Sequence, residues 1–99
     1  MEDQYDYDFL SSPELLNKIA DIQHEIWAHW MRYLFSVSIH NEDGAVIIPV
    51  EKVERWKRQL STAYDSLTEN EQQSDKDQAE KVLNVIRDEL NGLSPTKTL

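Results

Sequence analysis

Asp21-Ile22-Gln23-His24-Glu25-Ile26-Trp27-Ala28-His29-Trp30-Met31-Arg32-Tyr33-Leu34-Phe35 decides the fold, and it holds two of the three tryptophans and two of the three histidines in a chain of 99 residues. At about 100° per residue, Leu15, Ile19, Ile22, Ile26 and Trp30 make one helical stripe, continued by Leu16, Ala20, Trp27, Met31 and Leu34. Together they take about half the circumference, while Asn17, Lys18, Asp21, Glu25, Ala28 and Arg32 occupy the other side. An apolar arc this wide suits a helix with two neighbours rather than one. Full burial of a tryptophan removes roughly 150–250 Å² from water. That is about 4–6 kcal/mol as an upper bound, so Trp27 and Trp30 are expected to anchor the core.

Working outward, Ser12-Pro13-Glu14-Leu15 is a helix start: a capping hydroxyl, proline at the first helical position and an acid in the first turn. The pattern predicts a helix over residues 13–36. Before it, residues 1–12 alternate acids with Tyr5, Tyr7 and Phe9. Such a tail is either solvated or laid against the domain through its spaced aromatics.

Residues 37–48 break the helical period. Val37, Ile39, Val46, Ile47 and Ile48 are β-branched around the turn signal Asn41-Glu42-Asp43-Gly44, which predicts a short β-hairpin-like excursion. Pro49 opens a second helix over residues 49–61, with Val50, Val53, Trp56 and Leu60 on one face. Its other faces carry Lys52, Arg55, Lys57 and Arg58, which either balance acidic neighbours at a solvated surface or attract an anion. Thr68-Glu69-Asn70-Glu71 is a capping box that starts a third helix over residues 68–91, with Gly92 placed for a left-handed cap. The expected fold is all-α: one three-helix domain over residues 13–92, an acidic aromatic tail at 1–12 and a loose tail at 93–99.

The totals restrict function. Without cysteine there is no disulfide, no thiolate metal site and no cysteine nucleophile. Nineteen acids against ten bases give −9, a sign that repels nucleic-acid polymers. The longest apolar run, residues 45–50, cannot span a bilayer. The acidic N-terminus has neither the basic nor the apolar region of a signal peptide. A cytoplasmic protein without membrane association is expected. Neither His29 nor His40 has metal-ligand spacing. The chain has no Gly-rich phosphate loop, nucleophile elbow or His-Glu-x-x-His motif. No enzyme, cofactor or metal is therefore expected.

The apolar face of the third helix is read as Ala79, Val82, Leu83, Ile86 and Leu90. Carried backwards, it places Asp75 near its middle and Gln72 on the same side. A carboxylate on a core-facing stripe needs a partner. His24 and the Trp27 indole on the first helix are the candidates. That arrangement is either a buried tie between two helices or the polar floor of a pocket lined by Trp27 and Tyr64.

His24-x-x-Trp27 followed by Tyr64-x-x-Leu67-x-Glu69-x-Glu71-x-x-x-Asp75-x-x-x-Ala79-x-x-x-Leu83 resembles the ryanodine-receptor repeat (RyR-type) domain, especially its small stand-alone forms in bacteria and phages. The similarity spans roughly residues 15–86. Residues 36–48 replace a Gly-Trp-x-Tyr-Gly-like segment of that family, and Ala63 stands where a proline often precedes the tyrosine. The resemblance implies a compact helical interaction module, adenine-nucleotide binding in some members, and a phage or defence setting. It makes His24, Trp27, Tyr64 and Asp75 the pocket candidates. The residue chemistry adds Trp56 for stacking, and Arg55 and Arg58 for phosphate. Two functions are carried forward: a non-enzymatic module for a nucleotide-like ligand, and a small acidic protein that binds or inhibits a host or defence factor. The generous apolar arc also suits a homo-oligomer.

Overall fold

The first long helix, α1, spans Pro13–Val37 and begins as its sequence dictates: the Ser12 hydroxyl accepts the Leu15 amide at 2.9 Å, with proline at the first helical position. The computed structural model describes residues 7–93. The expectation about Tyr5 and the first six residues lies outside that range, but Tyr7–Ser11 form a 3₁₀ turn that packs on α1 with Phe9 half-buried. At its far end, α1 stops where the β-branched segment starts, and the buried Ser38 returns its hydroxyl to the Leu34 carbonyl at 2.6 Å.

The excursion is the two-stranded antiparallel hairpin anticipated from its sequence. β1 (Ile39–His40) pairs with β2 (Val46–Ile47), Ile39 opposite Ile47 and His40 opposite Val46. The turn between them needs Gly44 at φ 96°, a conformation that a side chain disfavours. The Asp43 carboxylate accepts the Ala45 amide at 3.0 Å. α2 (Val50–Leu60) follows directly, and a 3₁₀ turn at Tyr64–Ser66 leads to α3 (Glu69–Leu93). The capping box forms in both directions: the Glu71 amide donates to the Thr68 hydroxyl at 3.2 Å, and the Thr68 amide donates to the Glu71 carboxylate at 3.1 Å. Gly92 is still helical, so the left-handed cap expected there does not occur. Glycine permits that cap without enforcing it.

α1 and α3 run antiparallel. Lys18 is ion-paired with Glu89, and Ile22 lies beside Val85 along the same groove. Their contact is a single seam. Of the expected α3 face, Val82 and Ile86 are half-buried beside Gln78, Val85 and Glu89, whereas Ala79, Leu83 and Leu90 are exposed. The helix is thus rotated by less than one residue from the face its apolar pattern suggests.

Two expectations are overturned. Asp75 is exposed rather than core-facing, so it requires no buried partner. Trp27 and Trp30 are 56% and 38% exposed, so neither is a buried anchor. Among the described residues only one apolar side chain is fully inside, Leu15 at 2% exposure. The radius of gyration is 19.5 Å, against about 13 Å for a compact chain of this length. The molecule is an elongated, all-α layer of three helices with a short hairpin.

Leu15 therefore carries a disproportionate share of the packing. Leu15→Ala is expected to lower unfolding free energy by about 2–5 kcal/mol. Ser12→Ala should cost about 1 kcal/mol through the lost cap. Urea unfolding followed by far-ultraviolet circular dichroism measures both, and equal effects would show that Leu15 is not the keystone of the α1 packing.

Candidate functional site

Where α1 ends and α3 begins, the two helices are held apart and α2 stands between them. The short hairpin keeps α2 close to the C-terminal end of α1. Trp56 of α2 meets the Tyr33 ring at 6.2 Å between centroids, and Lys52 donates to the Tyr33 hydroxyl at 3.3 Å while lying 5.8 Å above that ring. On the other side Arg58 is ion-paired with Glu71, the residue that also closes the α3 capping box. α2 is thus fixed by an aromatic contact to α1 and a charged contact to α3.

Between these ties lies an open cleft of about 1140 Å³. Its α1 wall carries His29, Trp30, Met31, Tyr33 and Leu34; its α2 wall carries Arg55, Trp56, Arg58 and Leu60. Leu67 and the first turns of α3, including Glu71, Asp75, Asp77 and Gln78, complete it. The aromatic groups form a continuous run: His29 against Trp30 at 4.6 Å, Trp30 against Tyr33 at 6.4 Å, then Trp56. Edge-to-face packing of this kind holds rings in fixed orientations and leaves other edges open. The Gln78 side-chain oxygen is buried in the cleft wall without a donor.

The charges in the cleft are mixed. Arg58 is committed to Glu71, and the Asp77 carboxylate accepts from Gln73 at 2.9 Å. Arg55 and Asp75 are exposed and have no hydrogen-bond or ion-pair partner among the described residues. Two guanidinium groups face three carboxylates, so the lining is close to neutral and slightly acidic.

Of the residues singled out from the sequence, Arg55, Trp56, Arg58 and Asp75 converge on this cleft, and His24, Trp27 and Tyr64 do not line it. His24 and Trp27 stack on one another at 5.6 Å on the exposed flank of α1. Tyr64 supplies its backbone carbonyl to the Gln72 side-chain amide at 2.8 Å, which ties the 3₁₀ turn to α3. Sequence reasoning missed His29, Trp30, Tyr33 and Gln78. The available signal was the short connector at residues 38–49, which confines α2 to the C-terminal end of α1, beyond His24.

Among the described residues no group of three or more His, Asp or Glu is placed to hold a metal ion, and no helix is long and apolar enough to cross a membrane. In comparison with known proteins, the chain matches no family model, no curated protein and no solved structure.

The Arg58 hydrogen bond, with help from both groups of Thr68, holds the Glu71 carboxyl below its ordinary range. A lowered carboxyl stabilises the fold fully above its unfolded-state value and loses that contribution as pH falls through its folded-state value. Acidification below the ordinary carboxylate range should therefore loosen α2 from α3. Glu71→Gln should flatten that part of the pH–stability profile measured by thermal unfolding; an unchanged slope would assign the acid sensitivity to other carboxylates.

Proposed function

We propose that the chain is a non-enzymatic binding module acting through protein contact, with the cleft between α1, α2 and α3 receiving a segment of its partner. One observation carries this reading: the cleft joins an aromatic wall to an open volume of about 1140 Å³ with mixed, near-neutral charge. A pocket for a small organic molecule encloses roughly 300–1,000 Å³ and most of the ligand surface. This cleft is larger and wide open, which suits an apolar helix or strand with a few polar groups. Trp30, Tyr33 and Trp56 are the residue types that dominate binding energy in interfaces. The resemblance to stand-alone RyR-type repeats agrees with an interaction module, and by that resemblance the partner is a host or defence factor.

A second reading rests on Arg55, an exposed guanidinium without a partner beside Trp56. Stacking on the indole and a charge-assisted bond from Arg55 would suit a nucleotide-like ligand. The carboxylates of Glu71, Asp75 and Asp77 on the facing wall oppose a polyphosphate, which makes this the weaker of the two.

The readings separate experimentally. Affinity capture from host extract with the wild-type chain, set against Trp56→Ala and Arg55→Glu, should yield a protein lost by at least tenfold in both variants. A nucleotide panel in thermal unfolding should give no shift. A ligand at one hundred times its Kd would raise stability by about 2.7 kcal/mol, and such a shift, abolished in Arg55→Glu, would replace the protein reading with the nucleotide one.

A further inference from the structure

On a helical wheel every charged residue of α1 after its first turn, Lys18, Asp21, Glu25 and Arg32, falls with Glu14 in one sector about 60° wide. The seam against α3 lies about 100° from that sector, around Leu15, Ile19, Ile22 and Ile26, with Lys18 at its border, paired with Glu89. About 100° further round runs a second apolar row: Leu16, Ala20, Trp27 and the half-buried Met31 and Leu34. That row contains no charge, in a chain whose net charge is −9. Leu16 is 68% exposed, so nothing among the described residues covers it.

α3 repeats the arrangement. Its seam toward α1 is followed, again about 100° on, by exposed Ala79, Leu83 and Leu90, the leucines 43% and 47% accessible. Antiparallel helices wind in opposite senses to one observer, so equal rotations from the shared seam bring both rows to the same side of the pair. The register set by Lys18 against Glu89 then puts Leu16 beside Leu90 and Trp27 near Leu83. The result is a two-helix layer with one mainly apolar face, joined on α3 by the exposed Lys76: half of a four-helix bundle.

The area agrees. A folded monomer of 11.6 kDa presents about 5,800 Å² to solvent, whereas this chain presents 7986 Å². The chain on its own therefore leaves more surface in water than a closed monomer of its mass would.

We propose that this face is the interface with a second copy of the same chain, forming a two-fold four-helix bundle from α1 and α3 of each. A two-fold axis makes the face its own complement, and the confinement of α1 charge to the opposite sector lets two chains of −9 approach. The interface is separate from the function proposed above, although Met31 and Leu34 lie on the border of both surfaces.

Sedimentation equilibrium of the full chain at micromolar concentration should give twice the mass of one chain. Association should strengthen as salt screens the repulsion between two acidic copies. Ala20→Glu and Leu83→Glu should each sediment as monomers with at least a tenfold loss of association, and Trp56→Ala should remain dimeric whatever it does to partner capture. Should a glutamate variant lose its helical circular dichroism, cross-linking decides. The chain has no cysteine, so Ala20→Cys and Glu25→Cys each carry a unique thiol. A flexible bismaleimide should join Ala20→Cys chains and leave Glu25→Cys chains single. A monomeric wild type, an association weakened by salt, or equal cross-linking of the two variants would overturn the proposal.

Discussion

The structure depends on how little of α1 is polar. Its charges occupy one narrow sector, so the apolar half of the helix surface must be covered by something other than water. α3 covers one seam of it, and the 3₁₀ turn at Tyr7–Ser11 packs on it as well. The hydrophobic term that usually closes a domain is satisfied around Leu15 and left open along Leu16, Ala20 and Trp27. The elongated shape, the open cleft and the exposed tryptophans all follow from that imbalance. At eleven residues, α2 is too short to cover a partner of twenty-five.

Glu71 organises the other end of the molecule. One of its oxygens closes the capping box with the Thr68 amide, and the other meets Arg58. A single carboxylate thus begins α3 and positions α2, and through α2 it sets the width of the cleft. Lys18 and Glu89 play a matching part at the opposite end, where the bond to Glu89 raises the lysine above its ordinary value. Between these two charged ties the layer is apolar, which is why its geometry follows the seam and not the charges.

What could be read in the sequence was whatever is decided within a few residues. The Ser12 and Thr68 caps, the Gly44 turn and the extents of the three helices all rest on short-range hydrogen bonds, and the structure has each of them. The rotation of α3 could not be read. Ala79, Leu83 and Leu90 look like a core stripe because they are apolar at helical spacing, and spacing does not say which neighbour a stripe will meet. Gln78, Val85 and Glu89 hold that position instead. Asp75 followed the same error, and the idea of a buried tie to His24 followed Asp75. The candidate site was legible in its α2 half, where Arg55, Trp56 and Arg58 sit together in sequence. Its α1 half depended on where the hairpin delivers α2, which is a tertiary matter.

The local character of the caps has a consequence for the order of events after synthesis. α1 and α3 each carry their own start signal, and the hairpin and both 3₁₀ turns close within a few residues. Contacts of such short range form fast. The nascent chain is therefore helical well before its apolar rows are shielded. In the proposed dimer, final compaction would be a second-order step, paced by the amount of protein present rather than by the search of one chain through its own conformations.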